Sequence, residues 1–240
     1  MNKLSQTEQK QLVGKVAVDI LIEKKLIFSG MKIGLGTGST AMPVVTRIAE
    51  KIADGTLKDV KVVPTSFQTL NACEKYDIAT YTLNSKKIDG KLDLAIDGAD
   101  EISPKKQLIK GGGAAHLKEK IVAYNATQLV IVADQSKIVD SLGTKFALPV
   151  EIISDARLPV TRALEKLGAT CVLREGVRKC GPVITDNGNQ IIDCTWKSPV
   201  DAAKLEDGIN NITGVVENGF FTKCVPIVFI AYSDGSVREI

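Results

Sequence analysis

Short apolar runs that alternate with amphipathic segments limit most strongly how this chain can fold. Each run has the length of a strand, and each following segment has the apolar spacing of a helix. This alternation favours an α/β fold with a mostly parallel, Rossmann-like sheet and helices on both faces. We predict strands at 31–35, 59–63, 78–83, 92–96 and 128–133, and helices at 5–25, 41–53, 66–76 and 114–125.

The pattern changes after about residue 144. The predicted elements there come close to the order βαββαβ, which is typical of a smaller α+β, ferredoxin-like domain. The run 227–232 is apolar enough to return to the main sheet. We therefore predict an α/β catalytic domain of residues 1–143 and 225–240, and an α+β domain of residues 144–224. Its predicted strands are 148–153, 170–174, 182–184, 190–193 and 214–216, with helices at 156–167 and 200–211 and a hairpin turn at 185–188.

Composition argues against several classes of function. The net charge is only +3 and the basic residues are spread along the chain, so we expect no nucleic-acid partner. The longest apolar runs are too short to span a bilayer, and the polar N-terminus lacks a signal-peptide core, so we expect no membrane partner. The five cysteines form no C-x-x-C pair, which indicates a reduced, cytoplasmic protein.

The chain contains a single histidine, His116. A catalytic triad would have this one candidate base, and a multi-histidine metal site is impossible within one chain. Acid–base chemistry must therefore fall mainly to carboxylates and lysines. We assign His116 no role and expect it at the surface or half-buried on a helix.

A glycine loop follows the first predicted strand. Its glycines free backbone N–H groups to face an anion, and its hydroxyls lie at a helix N-terminus, where the helix dipole favours negative charge. We predict a cradle for a phosphate or a polyol. The loop also matches the dinucleotide pattern G-x-G-x-x-A, with Asp59 as a possible ribose ligand, and this alternative stays open. The loop residues are Gly36, Thr37, Gly38, Ser39 and Thr40.

Two aspartates end the predicted strand 92–96. Asp97 and Asp100 are separated by Gly98 and Ala99, so both can project from one tight turn. Nearby carboxylates can hold sugar hydroxyls, move protons or bind Mg²⁺. Glu101 follows directly, and it could equally point to solvent.

A lysine and three glycines precede the next predicted helix. Lys110 can stabilise an oxyanion, because Gly111, Gly112 and Gly113 let the backbone approach a ligand closely. Glu119 on that helix could face a cleft as a general base, or it could be a solvated acid between Lys118 and Lys120. Lys137 follows another strand and could bring a second cation to the same strand ends.

Taken together, these stretches resemble ribose-5-phosphate isomerase of the A type. The similarity covers nearly the whole chain, and the set of stretches in this order is specific. The stretches that carry it are 36–40, 97–101, 110–115 with 119–120, 133–137, 182–189 and 214–216.

The resemblance implies an aldose–ketose isomerase of the non-oxidative pentose phosphate pathway that needs no cofactor and no metal. It implies that Glu119 is the catalytic base, that Lys110 stabilises the oxyanion, and that Asp97 and Asp100 hold hydroxyls and assist ring opening. The family forms dimers and tetramers, so the resemblance implies a homo-oligomer, either a homodimer or a homotetramer. The implied substrate contacts are Gly36, Thr37, Gly38, Ser39, Thr40, Asp97, Gly98, Ala99, Asp100, Lys110, Gly111, Gly112, Gly113 and Lys137.

Three other functions compete with this reading. A sugar-phosphate sensor on a related fold would bind its ligand without turnover. An NAD-dependent oxidoreductase would use the first glycine loop for a dinucleotide. A relative of the acyl-CoA transferases would use a glutamate nucleophile and would depend on CoA.

Overall fold

The computed structural model describes residues 3–240, which group into two compact units. The larger unit holds residues 3–98, 118–136 and 226–240, and the smaller unit holds residues 99–117 and 137–225. Short 3-10 helices span Gln135–Lys137 and Ser154–Ala156. In chain order the other elements are α1 (Gln6–Glu23), β1 (Lys32–Leu35), α2 (Ala41–Ala53), β2 (Lys61–Pro64), α3 (Phe67–Lys75), β3 (Leu92–Asp97), β4 (Glu101–Ile102), β5 (Leu108–Ile109), α4 (His116–Tyr124), β6 (Ala126–Asp134), β7 (Leu148–Ile152), α5 (Arg157–Lys166), β8 (Thr170–Leu173), β9 (Gln190–Thr195), α6 (Ala202–Asn210), β10 (Val215–Asn218), β11 (Phe220–Phe221), β12 (Ile227–Ala231) and β13 (Val237–Glu239).

The larger unit is built on a sheet with strand order β13-β12-β6-β3-β1-β2. Strands β2, β1, β3, β6 and β12 are parallel neighbours, and β13 pairs antiparallel to β12. The predicted α/β class is confirmed. The late strand β12 joins β6 in this sheet, as its apolar sequence predicted.

Helices cover both faces of this sheet because successive side chains of a strand point to opposite sides. Ile33 and Leu35 of β1 belong to a core cluster together with Val13 of α1 and Val44 of α2. Gly34 between them faces Val122 of α4, whose methyl group would collide with any β-carbon at position 34. The glycine therefore lets α4 pack closely against the sheet.

Helix α1 begins where a capping box satisfies its first N–H groups. Ser5 Oγ accepts from the Glu8 N–H at 3.3 Å, and Glu8 Oε2 accepts from the Ser5 N–H at 2.7 Å. Val13, Ala17 and Leu21, which lie four residues apart on one side of this helix, are fully buried. This apolar row fixes the face that α1 presents to the core.

The smaller unit contains a sheet with strand order β10-β7-β9-β8, in which all neighbours are antiparallel. The order of elements β7-α5-β8-β9-α6-β10 is the predicted βαββαβ arrangement, so the ferredoxin-like prediction is confirmed. Its core gathers side chains from both helices and the sheet, including Val150, Leu164, Ile192 and Ile209.

A further sheet, with order β11-β5-β4, also belongs to the smaller unit. The sequence did not predict it, because its strands are two residues long and carry no periodic signal. It groups residues 99–117 with the smaller unit, whereas we had expected them in the larger domain. The predicted domain borders, after residues 143 and 224, stay a prediction.

Two predicted strands are wrong. In the described part of the chain, segment 78–83 makes one bridge, between Thr80 and Val62. The ladder cannot continue because Pro64, the next pairing residue of β2, has no N–H to donate. Segment 182–184 does not pair with β9, because β7 and β8 already occupy both edges of β9. The predicted turn itself forms, with the Thr185 N–H bound to the Asn189 carbonyl at 2.9 Å.

Among residues 3–240, no helix combines the length and the apolar character needed to cross a membrane.

Candidate active site

Two strand ends of the larger unit bring the first glycine loop next to Asp97. Strands β1 and β3 are parallel neighbours, so their carboxyl ends lie at the same edge of the sheet. Asp97 is 4% exposed, and its Oδ1 accepts the N–H groups of Thr37 at 3.1 Å and Gly98 at 2.7 Å. The carboxylate therefore fixes the start of the loop while it is itself held in place.

Gly36 is glycine because Asp97 fills the space where a side chain would stand. A β-carbon there would collide with the Asp97 carboxylate and would lie 2.7 Å from its Cα. Gly38, with φ +97°, takes the left-handed conformation that glycine tolerates. The Ala41 and Met42 N–H groups both bond the Gly38 carbonyl at 3.1 Å, which starts α2.

A cluster of hydroxyl groups surrounds this loop. Thr37 Oγ1 lies 2.7 Å from both Thr65 Oγ1 and Ser66 Oγ, directly after the neighbouring strand β2. Thr69 Oγ1 donates to the Gly36 carbonyl at 2.7 Å. Thr65, Ser66 and Thr69 were not predicted as site residues. Their sequence signal is their position after a strand, at the same sheet edge as the glycine loop.

Two further polar residues at this loop were also missed. Lys10 of α1 donates from Nζ to Ser39 Oγ at 3.1 Å. Gln68 Oε1 accepts the Gly38 N–H at 2.9 Å. Lys10 brings a positive charge to the loop from the helix that precedes β1. Nothing in its spacing distinguishes it from the other lysines of α1.

Glu119 lies in the first turn of α4 and is 4% exposed. The alternative of a solvated acid is therefore wrong, although Lys118 and Lys120 flank it. Lys118 points instead toward Phe67, with Nζ 5.3 Å from the ring centroid. A carboxylate is rarely so buried without a functional or structural reason.

Lys110 of the smaller unit follows β5 directly and is 3% exposed. Its backbone N–H bonds the Gly219 carbonyl at 2.9 Å, and its Nζ lies 5.5 Å from the Phe221 ring centroid. The unpredicted sheet of β11, β5 and β4 thus fixes the direction of this lysine.

Within the smaller unit, Asp100 contacts both Lys137 and the glycine loop that follows Lys110. Its Oδ2 accepts the Gly112 N–H at 2.8 Å, and its Oδ1 lies 4.0 Å from Lys137 Nζ. The neighbouring residues Gly113 and Ala99 are exposed and half-buried, respectively. The structure therefore brings Asp100, Gly112 and Lys137 together within the smaller unit.

Glu101 is fully buried, so the alternative that it points to solvent is wrong. It accepts three backbone N–H groups, from Gly143, Lys145 and Phe146, at 2.5, 2.5 and 2.7 Å. Several N–H donors compensate a buried carboxylate for lost hydration. Glu101 anchors a loop that sequence spacing could not connect to it.

His116 is also fully buried, contrary to the expectation of a surface or half-buried residue. Its Nε2 lies 3.4 Å from the Glu217 carbonyl oxygen. Gly111, with φ +106°, packs so closely that a β-carbon there would lie 2.7 Å from His116 Nδ1. The histidine therefore packs directly against Gly111 of the second glycine loop.

No group of three or more His, Cys, Asp or Glu side chains is arranged to hold a metal ion within residues 3–240. Asp97 and Asp100 instead each accept a hydrogen bond from a backbone N–H group.

A mostly parallel sheet with carboxylates and a hydroxyl-lined glycine loop at its strand ends defines an α/β protein suited to an anionic, hydroxyl-rich ligand. The profile of the family described as ribose 5-phosphate isomerase A (phosphoriboisomerase A) matches residues 61–235. Ribose-5-phosphate isomerase A of Treponema denticola is 57% identical over 98% of this chain and 99% of its own length. The chain belongs to the ribose 5-phosphate isomerase A family.

Solved structures agree with this assignment. Ribose 5-phosphate isomerase A of Methanocaldococcus jannaschii is 46% identical, with a TM-score of 0.89 over 98% of this chain and 99% of its own. A D-ribose-5-phosphate isomerase in complex with phospho-erythronic acid is 38% identical, with a TM-score of 0.91 over 99% of each chain. The resemblance read from the sequence is confirmed at the level of the family and its fold.

Proposed function

We propose that this protein interconverts D-ribose 5-phosphate and D-ribulose 5-phosphate through an enediolate, in the non-oxidative pentose phosphate pathway. The observation that carries the proposal is the buried carboxylate of Glu119, in a chain 57% identical over nearly its full length to a ribose-5-phosphate isomerase A. Such a reaction needs a base, an electrophile and a site that excludes water.

Glu119 is the general base of the proposed reaction. It takes the proton from C2 of the ring-opened aldose, and the electron pair of that C–H bond moves into the C1–C2 bond while the carbonyl oxygen becomes an oxyanion. The proton of the C2 hydroxyl passes to the oxyanion on C1, and the protonated Glu119 returns its proton to carbon C1 as the carbonyl forms at C2. No external oxidant or reductant enters, because C1 is reduced as C2 is oxidised.

Lys110 stabilises the oxyanion that develops in this step. A buried cation is a stronger electrostatic partner than a solvated one, because the surrounding dielectric is lower. Asp97 and Asp100 hold the sugar hydroxyls and assist ring opening. Both carboxylates are oriented by backbone N–H groups, so their remaining acceptor sites are preorganised for hydroxyl donors.

The substrate phosphate binds the loop Gly36–Thr40, and Lys137 adds a positive charge toward the substrate. Lys10 joins the proposed phosphate contacts, since its ammonium group already lies 3.1 Å from Ser39 Oγ. Backbone N–H groups, hydroxyls and an ammonium group are the partners that phosphate oxygens favour. Gly98, Ala99, Gly111, Gly112 and Gly113 let the substrate approach the backbone.

We further propose that the enzyme needs neither metal nor cofactor and works as a homo-oligomer in the cytoplasm. The structure of residues 3–240 contains no disulfide, which fits a reducing compartment. Light scattering of the purified protein distinguishes a monomer from a dimer or tetramer, and cell fractionation tests the location.

Turnover of ribose 5-phosphate, measured with EDTA present and no nicotinamide added, tests the proposed reaction. Glu119→Gln removes the base and keeps the shape, so kcat should fall by about 10²–10⁴-fold while sugar-phosphate binding persists. Glu165→Gln makes the same chemical change on the exposed face of α5 and should leave kcat unchanged.

Near-normal turnover of Glu119→Gln would remove Glu119 from the base role. Binding without any turnover by the wild type would favour a sensor. Turnover that requires a nicotinamide or CoA would favour one of the other two alternatives, and loss of turnover in EDTA would restore a metal at the carboxylates.

A further inference from the structure

The peptide unit between Gly111 and Gly112 is held at both ends by charged side chains. Its N–H donates to Asp100 Oδ2 at 2.8 Å. Its carbonyl, that of Gly111, accepts from Arg174 Nη1 at 2.9 Å. The guanidinium and the carboxylate therefore lie on opposite ends of one peptide dipole, each next to the end of opposite sign.

Arg174 reaches beyond this single peptide. The same Nη1 lies 3.3 Å from the Gly112 carbonyl, so it spans two successive carbonyls of the glycine loop. A run of glycines has high conformational freedom, and the loop cannot keep one geometry by its own preferences. Side-chain donors that bind its carbonyls supply the missing constraint.

Asp193 fixes the guanidinium from its other side. Arg174 Nε donates to Asp193 Oδ2 at 2.8 Å, and Nη2 contacts Oδ1 in a bidentate pair. The Arg174 side chain is 14% exposed. Because the guanidinium is planar and rigid, pairing one edge with a carboxylate determines where its remaining N–H groups point. A lysine could match the charge but not this fork.

We infer that Arg174 is a positioning residue, which holds the Gly111–Gly112 peptide so that Asp100 and Lys110 keep their working geometry. This inference deepens the proposed function and rests on it. Arg174 acts through the loop: its hydrogen bonds polarise the peptide whose N–H binds Asp100, and they restrain the residues next to Lys110. Asp193 contributes to this positioning, because it orients the guanidinium of Arg174.

Arg174→Met tests the inference, with Arg47→Met as the matched control. Arg47 forms a comparable bidentate pair with Asp19, with two contacts of 2.9 Å and a side chain 19% exposed, within the larger unit. Both variants lose a bidentate ion pair, but Arg174 alone of the two binds the glycine loop. We expect kcat to fall by about 10–100-fold in Arg174→Met, since small displacements of catalytic groups have such effects. We expect KM to change much less, and Arg47→Met to keep the wild-type kcat.

Ligand binding gives a second readout that a merely structural ion pair would not move. Phospho-erythronic acid carries a carboxylate as well as a phosphate, whereas inorganic phosphate offers the phosphate alone. Calorimetry should find the affinity for phospho-erythronic acid reduced in Arg174→Met and the affinity for inorganic phosphate unchanged. Arg174→Lys should not restore kcat, because the fork is lost, whereas millimolar guanidinium added to Arg174→Ala should restore part of it.

The inference is overturned if Arg174→Met keeps the wild-type kcat, or if Arg47→Met loses as much. It is also overturned if both ligands weaken equally, or if lysine restores full activity. If Arg174→Met does not fold, Asp193→Asn retains the arginine but loosens its orientation, and a fall in kcat without a fall in phosphate affinity is then expected. If the wild type lacks isomerase activity, the proposed function fails, and the two binding measurements still decide whether Arg174 orders the loop.

Discussion

Each unit carries a glycine-rich loop after a strand, and the two loops are held by different means. In the larger unit, the loop Gly36–Thr40 is bound by Asp97 at the end of the adjacent strand. In the smaller unit, the loop that starts at Lys110 is bound by Asp100 on one side and by Arg174 on the other. Both loops lead into a helix, and the difference lies in the second partner, because the Gly111 carbonyl also accepts from Arg174, 63 positions further along the chain.

This difference teaches what each loop should tolerate. The first loop leaves no room beside Gly36, so added volume should disturb it more than the loss of one polar partner. The second loop is also crowded at Gly111, but Gly112 and Gly113 are exposed and the loop depends on remote donors and acceptors, so the loss of a partner should disturb it more. The two loops also differ in chemistry, because one offers N–H groups and hydroxyls and the other a buried cation.

Among the substitutions that compare the two loops, Lys110→Ala in the second loop should have the largest effect on catalysis. If the buried ammonium group stabilises an oxyanion, its removal lowers kcat by about 10²–10³-fold and changes KM much less. Steady-state kinetics with ribose 5-phosphate measures both constants, and Lys105→Ala, an exposed lysine of the β4–β5 connection, serves as control. A rise in KM that exceeds the fall in kcat would instead make Lys110 a ground-state binding residue.

Gly36→Ala should nearly match this loss by a different route. The added methyl group collides with Asp97, so the carboxylate, the loop or both must move. Displacement of about 1 Å costs about 10²-fold in rate, and overpacking costs about 1–3 kcal/mol of stability. Kinetics and thermal unfolding together check this. A variant with wild-type activity and stability would show that the loop accommodates volume after all.

Lys10→Ala should have a smaller effect, confined to binding. Lys10 lies beside Ser39 of the first loop, so its removal should raise KM about tenfold, the effect of losing about 1.4 kcal/mol of binding energy, and leave kcat nearly unchanged. Lys15→Ala, an exposed lysine of the same helix, is the control. The salt dependence of KM should also weaken in Lys10→Ala, since salt screens the attraction between an ammonium group and a phosphate. An equal fall in kcat would contradict the proposal that the first loop binds the phosphate and the second loop carries the group that stabilises the oxyanion.

The parts of the fold with long apolar periodicity could be predicted from the sequence. The parallel sheet, its helices and the βαββαβ order followed from such runs. The strands β4, β5 and β11 could not be predicted, because two residues carry no periodic signal. The false strand at 78–83 had the right composition, and the missing N–H of Pro64 ended its pairing.

The site shows the same limit at the level of single residues. Asp97, Asp100, Lys110 and the glycine loops stand at strand ends, where the sequence itself marks polar positions. Lys10 and Arg174 reach their loops from elements distant in sequence, and no spacing distinguishes them from other basic residues. Their positions depend on how each unit packs, which a single sequence does not state.

The smallest predicted effect is that of Gly208→Ala. It tests whether glycine-to-alanine substitution stabilises the fold where the added methyl group meets no neighbouring atom. Gly208 lies in α6, is exposed, and has open space where a β-carbon would stand. Gly208→Ala should therefore raise the free energy of unfolding by about 0.5–1 kcal/mol, because alanine loses less backbone entropy in a helix. Chemical denaturation measures this, and kcat should stay at the wild-type value. Glycine-to-alanine substitution is thus expected to lower the free energy of unfolding at Gly36 and to raise it at Gly208. A loss of stability at Gly208 would mean that the space available to the β-carbon does not determine the direction of the change.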